Sequence, residues 1–298
     1  MSRLGASIAA LTLSLLAMSG QAQASIEDKD VAKLTSFGGM CANCDLAGRK
    51  LMNAKFTGAN FVKAILIGAD LRGAMFYGSN FTASDLSRAD LRGAEMRGAN
   101  FVSANFTDAR MSGVESSGAN FQSAQMVRVD LSSSELHGAQ MTSANLQKAR
   151  LSNAELTGSN LISVNAKDAD FSNADVNHAN MTGGRFEGAI FRNADLTGSI
   201  LRGAVFTGAD FRNADLTLAN LGGADLSGAK GLEQEQLDDA CGDGGTRLPQ
   251  GLTVRSCSGV KGAQHYMLLR EMPKAPPAPP APPAPPAPMA SKAPKAKW

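Results

Sequence analysis

The sequence predicts an all-β solenoid whose two ends are closed by segments unlike its repeat. Three observations predict it: a large apolar residue at every fifth position, a small residue two places before it, and turn-forming residues two places after it. The stretch "ADLRGAEMRGANFVSANF" (89–106) sets Leu91, Met96, Phe101 and Phe106 five apart, with Ala89, Ala94, Ala99 and Ala104 each two residues earlier. A helix turning about 100° per residue would scatter such residues around its axis. A straight strand would throw successive ones onto opposite faces, because its side chains alternate with period two. A chain that bends once in every five residues keeps all of them on one side and winds into a coil.

In chain order, residues 1–24 read as a secretory signal peptide. Arg3 precedes an apolar run from Ile8 to Met18, and Ala22, Gln23 and Ala24 form a small-residue cleavage site. The run is too short to span a bilayer, and no cysteine stands at the cleavage site to receive a lipid. The expected location is therefore periplasmic or secreted, with a mature chain beginning near Ser25. Residues 25–43 read as an N-terminal cap, in which "SIEDKDVAKLTSF" forms a short helix with Val31 and Leu34 on its apolar side.

Residues 44–230 carry the repeat. From Leu46 to Leu226 there are 37 large positions at five-residue intervals, and all are Leu, Phe, Met or Val except Ser116 and Ala166. The positions two earlier are Ala, Ser, Gly or Cys except at Arg49, Val114, Val129 and Val164. Val114 precedes Ser116 and Val164 precedes Ala166, so the small residue grows where the large one shrinks; Gly184 before Phe186 is the reverse exchange. The bend falls two residues after the large position, at Gly68, Gly73, Gly78, Gly93, Gly98 and Gly113, with Ser103, Asn153 and Asn173 elsewhere.

Four stretches, "ADLRG" (89–93), "ANFVS" (99–103), "ADLTG" (194–198) and "ADLSG" (224–228), resemble the A(D/N)LXX consensus of the pentapeptide-repeat family. The resemblance implies a right-handed quadrilateral β-helix with twenty residues per coil, a dimension the five-residue period leaves open between three sides and four. The 37 repeats then make roughly 9 coils, a rod on the order of 45 Å long at about 4.8 Å per stacked strand. At twenty per coil, Phe61, Phe81, Phe101 and Phe121 fall in one inward column and Phe171, Phe191 and Phe211 in another. Of 13 Phe only Phe37 lies outside the large register, which marks a core and not an aromatic binding surface.

Residues 231–272 read as a C-terminal cap of the kind often seen after such repeats, with a short helix from Leu232 to Ala240, a Gly-rich stop and a small extended piece. Open coil ends present unpaired strand edges, which is why both ends need covering. Residues 273–298 form a Pro/Ala/Lys-rich tail with 11 of the 12 prolines and no acidic residue, a polyproline II spacer of roughly 50 Å over Pro273 to Pro288.

The functional inventory is short. Cys41, Cys44, Cys241 and Cys257 are even in number in an exported chain, which points to two disulfides, one at each end of the rod. A thioredoxin-like reading of "CANC" lacks a βαβ context, haem attachment lacks a following His, and four thiols at two ends cannot share a zinc ion. His137, His178 and His265 are scattered, and no nucleophile has a His and carboxylate partner, so the expectation is a protein with no catalytic site, cofactor or metal. The chain from Asp45 to Lys230 holds 18 acidic and 18 basic residues. Some members of the resembled family mimic DNA toward topoisomerases, which implies a strongly acidic, cytoplasmic rod. Neutrality, the Asp–Arg pairs at 70 and 72, 90 and 92, and 210 and 212, and the signal peptide all oppose it, and no nucleic-acid partner is expected. What remains is a rigid exported scaffold or interaction module whose partner is a protein or an envelope polymer. Ile65, Ile67, Met75 and Tyr77, apolar at outward positions of one coil, are the candidate contact patch.

Overall fold

The computed structural model describes residues 39–257. The expected signal peptide, the helix of the N-terminal cap and the Pro-rich tail lie outside the described residues.

From Met40 to Lys230 each bridged residue pairs in parallel with the residue twenty later, as in Asp45 with Ile65, Ile65 with Asp85 and Asp85 with Asn105. Five residues per side and twenty per coil give four sides. Face one carries the inward residues Cys41, Phe61 and Phe81 up to Leu221; face two runs from Leu46 to Leu226, face three from Leu51 to Phe211, and face four from Phe56 to Leu216. Each side is fixed by ladder bonds such as Leu66 N to Asp85 O at 2.7 Å and Asp85 N to Ala64 O at 2.9 Å.

All 37 corner residues from Asn43 to Gly223 have φ near +60°, and only 17 of them are glycine. With the bond closing each corner, such as Ala54 N to Leu51 O at 3.1 Å, this is a type II turn. The sequence accounts for Gly, Ser and Asn here, but Lys63, Ala83, Arg88, Arg128, Lys148 and Leu218 share the same conformation. At roughly 1 kcal/mol per non-glycine left-handed residue, stacking must over-determine these corners. The Asp or Asn before the large residue has its own task. Its side-chain oxygen accepts the backbone N–H two residues on, as in Asn60 from Val62 (3.1 Å), Asp85 from Ser87 (2.9 Å) and Asp195 from Thr197 (2.8 Å).

The interior is a single column of buried side chains. Phe61, Phe81, Phe101 and Phe121 stack with centroids 4.6–5.2 Å apart, and Phe171, Phe191 and Phe211 with 4.9–5.2 Å. Two further stacks, Phe56 on Phe76 and Phe186 on Phe206, meet these edge to face. Gly184 is required, since a Cβ there would stand 2.5 Å from the ring of Phe186.

The C-terminal cap differs in extent from the helix read from sequence. Helix α1 spans only Gln234–Leu237. The Gln236 amide accepts the Glu233 N–H and donates to the carbonyl of Phe211 (2.8 Å), which also takes the corner bond from Ala214 N–H, and to that of Ala214 (2.7 Å), which the last coil leaves open. The helix stops early because the chain returns to the ladder, where Asp239 O accepts from Leu218 N and Cys241 pairs with Asn220. Strand β1 (Cys241–Gly242) then pairs in parallel with β2 (Arg255–Ser256) above it. Cys241 and Cys257 are bridged, with Cα atoms 4.8 Å apart; at the other end Cys41 and Cys44 are bridged across the first described corner, 5.3 Å apart.

Candidate interaction surface

A solenoid of this width has no interior to bind in, so its chemistry is on its faces. Each repeat sends three residues outward, one before the large residue and two after it, and stacking turns each of these positions into a column along the rod.

Face three neutralises itself. Asp90, Arg110, Asp130, Arg150 and Asp170 alternate in sign up successive coils, so each rung has the opposite charge as its cross-strand neighbour. Arg72 holds Asp70 at 2.7 Å and Arg92 holds Asp90 at 2.6 Å. Asp210 is buried and takes Arg212 at 2.6 Å and Arg192 from the coil below at 2.7 Å. Hydrogen bonds from Arg212, opposed by burial and reinforced by Arg192, hold its carboxyl well below the usual carboxylate range. The Arg72 and Arg92 guanidinium groups lower Asp70 and Asp90 in the same way.

Face one is an amide surface. Asn60, Asn80, Asn100 and Asn120 follow one another up its coils, with Asn160 and Asn180 above.

Face four is different in kind. Glu95, Glu115, Glu135, Glu155, Asp175, Asp195 and Asp215 occupy seven successive coils of one column. Adjacent rungs of the column stand about 4.8 Å apart, and two like charges at that separation repel by about 1 kcal/mol even in water. Arg97 pairs with Glu115, and His137 Nε2 lies 2.8 Å from Glu155 Oε2. Among the described residues Glu95, Glu135, Asp175, Asp195 and Asp215 form no ion pair. The four glutamates also stand where the repeat's Asp or Asn would cap the turn. Asp175, Asp195 and Asp215 still accept the N–H of residues 177, 197 and 217 at 2.8–3.0 Å.

The corner column beside these carboxylates is Gly58, Gly78, Gly98, Gly118, Gly138 and Gly158 in six successive coils. Added methyl groups at the first five would meet nothing within 4 Å. Other corners hold Ser, Asn, Lys or Arg in the same backbone shape, so this edge of face four is a lane cleared of side chains from Gly58 to Gly158, above which the corners are His178, Gly198 and Leu218. At the top, Asp215 opens into a cleft of about 340 Å³ shared with Glu233 and Glu235 of the cap.

The neutrality of the rod is therefore a sum over faces of opposite character. The expectation that Asp–Arg pairs interrupt any ladder of negative charge holds for face three and is corrected for face four. The candidate contact patch is corrected as well. Ile65 and Ile67 lie on face two and Met75 and Tyr77 on face four, because ten residues carry the chain around two corners to the opposite side. Only Ile65 of the four is exposed, at 38%. His178 occupies a corner beside Asn177. Among the described residues no group of His, Cys, Asp and Glu is arranged to hold a metal, and no helix is long and apolar enough to cross a membrane.

The family model for pentapeptide repeats (8 copies) matches residues 41–76, 74–113, 117–147, 149–188 and 189–228. The chain belongs to the pentapeptide-repeat family. Its rod is accordingly a right-handed quadrilateral β-helix, and proteins of the family are in general structural or interaction modules, not enzymes. Among solved pentapeptide-repeat structures it is similar to HetL, involved in heterocyst differentiation regulation in the cyanobacterium Nostoc sp. strain PCC 7120. That match has 28% identity and a TM-score of 0.62, over 67% of this chain and 92% of HetL. A pentapeptide-repeat protein of the Arabidopsis thaliana thylakoid lumen is 31% identical over 33% of this chain and 71% of its own, with a TM-score of 0.22. Full-length QnrB1, a plasmid-mediated fluoroquinolone resistance protein, is 19% identical over 79% of this chain and 100% of its own, with a TM-score of 0.24. No curated protein matches the chain significantly.

Proposed function

We propose that this pentapeptide-repeat protein is an exported, non-catalytic rigid scaffold of the cell envelope that meets a protein or polymer partner through face four. One observation carries the reading: seven carboxylates stacked in register, four of them beside a cleared glycine edge, on a rod whose other outward columns carry no such run of one sign. Like charges directly opposite one another in a ladder cost stability, and a protein that gives up stability along one whole face has a use for that face. The leader-like first 24 residues and the two bridged cysteine pairs support an oxidising, exported setting. Crosslinking of the intact exported protein followed by mass spectrometry is the test. The expected result is a discrete partner joined through residues between Glu95 and Asp215; crosslinks spread over all four faces would overturn the assignment of the face, and recovery of the protein with reduced cysteines in the cytoplasm would overturn export.

The same column favours a second reading, in which face four imitates the phosphates of DNA toward a topoisomerase. The leader-like segment opposes it. Inhibition of DNA supercoiling by the purified protein, abolished by Glu115→Gln, Glu135→Gln and Glu155→Gln together, would establish it in place of the envelope reading.

A further inference from the structure

We propose that face four is covered in the isolated protein by the last residues of its own chain, 287–297, lying along the rod in polyproline II register. The inference rests on the reading of face four as a surface built to be covered, and it names the first occupant.

Charge complementarity is the first ground. The chain beyond Cys257 holds Lys261, Arg270, Lys274, Lys292, Lys295 and Lys297 against one acidic residue, Glu271, while face four offers a row of carboxylates.

Repeat lengths are the second. A polyproline II helix turns once in three residues and advances about 9.3 Å per turn, while two coils of the rod advance about 9.6 Å. Lys292 and Lys295, three apart, therefore share one ridge of the tail at the spacing of alternate carboxylates. Ala287, Ala290, Ala293 and Ala296 share the next ridge, continuing a three-residue alanine register that begins at Ala275. Methyl groups at that repeat fit the cleared edge from Gly98 to Gly158, beside Glu95 to Glu155; beside Asp175 and Asp215 the corners are His178 and Leu218. Residues 287–297 cover about 31 Å, and Glu95 to Asp215 about 29 Å.

Tethering is the third. The bridge to Cys241 fixes Cys257 above Asn220, two residues past the Leu218 corner of face four. Thirty residues from there to Ala287 reach every rung, and a tether of this kind raises the local concentration of the lysines toward the millimolar range. A partner at face four must then displace the tail.

Trp298 is the only tryptophan and follows the docking segment directly, so its fluorescence anisotropy in the full-length protein reports docking. The expected result is an anisotropy at low ionic strength at least twice that of the free peptide 273–298. It should fall to the peptide value near about 1 M salt, where the Debye length is about 3 Å. It should also fall at low salt in a Lys292→Gln, Lys295→Gln, Lys297→Gln variant, which leaves the rod untouched, and in the Glu115→Gln, Glu135→Gln, Glu155→Gln variant. Peptide-like anisotropy in the wild type at low salt overturns the proposal, as does a value insensitive to either set of substitutions. An anisotropy that rises with protein concentration assigns the occupant to a second copy and overturns it equally. A negative result here leaves a partner found by crosslinking at face four intact, so the two failures are distinguishable.

Discussion

Faces three and four share a core, a ladder and a corner geometry, and differ in what they do with charge. Face three alternates Asp with Arg from coil to coil and closes ion pairs at Asp70, Asp90 and Asp210. Face four sets carboxylate on carboxylate for seven coils and clears the edge beside the first four of them. The backbone is indifferent to the choice, so the outward columns are free to be written independently of one another.

The largest expected effect lies beneath the comparison. Phe191→Asp, inward on face three, and Leu196→Asp, inward on face four, each bury a charge in the stacked column and should cost more than about 4 kcal/mol. Phe101→Asp should likewise be far worse than Arg97→Asp, its neighbour on the outside. Thermal melts that separate the faces at these inward positions would mean that the core is not common to both.

Next comes Asp210→Asn. The lost charge-assisted bonds should cost about 1–2 kcal/mol, discounted for two half-exposed guanidinium groups. Because the folded carboxyl titrates below its unfolded value, this contribution is complete above about pH 4 and is lost as pH falls through the folded value. The wild type and variant should therefore converge in acid, and a gap that persists there would remove the ion-pair explanation.

Smaller again is a paired charge reversal. Asp130→Lys inserts a third cation between Arg110 and Arg150 and should cost about 0.5–1 kcal/mol, whereas Glu135→Lys relieves repulsion and should be neutral or stabilising. Equal melting temperatures for the two would show that the faces do not differ as described. The smallest effect is truncation after Met272, which should leave β-type circular dichroism and the melting temperature nearly unchanged, because the rod's core ends before the tail begins.

The interior is legible in the sequence because burial admits few residue types, so a five-residue period survives every substitution from Leu46 to Leu226. Even the exchanges at Val114 with Ser116 and Gly184 with Phe186 can be read from volume alone. The outward faces are less legible because water accepts any polar residue, and charge counted along the chain mixes four columns into one neutral total. The signal exists at a separation of twenty: Glu95, Glu115, Glu135 and Glu155 are aligned by the same step that aligns the Phe columns. The split of Ile65 and Ile67 from Met75 and Tyr77 follows from that step too. The short cap helix does not, since its early end depends on the chain returning to the ladder, where Asp239 O accepts from Leu218 N and Cys241 pairs with Asn220.

The twenty-residue pairing also restricts how such a gene can change in length. Adding or deleting one pentapeptide would keep the inward register yet turn everything downstream by a quarter revolution, so that the acidic column would continue up a neighbouring side and the Phe stacks would be cut. Only a whole coil can be duplicated or lost with every column intact. Inheritance of this rod is thus quantised in units of twenty codons, and a lineage can lengthen it without re-inventing any face.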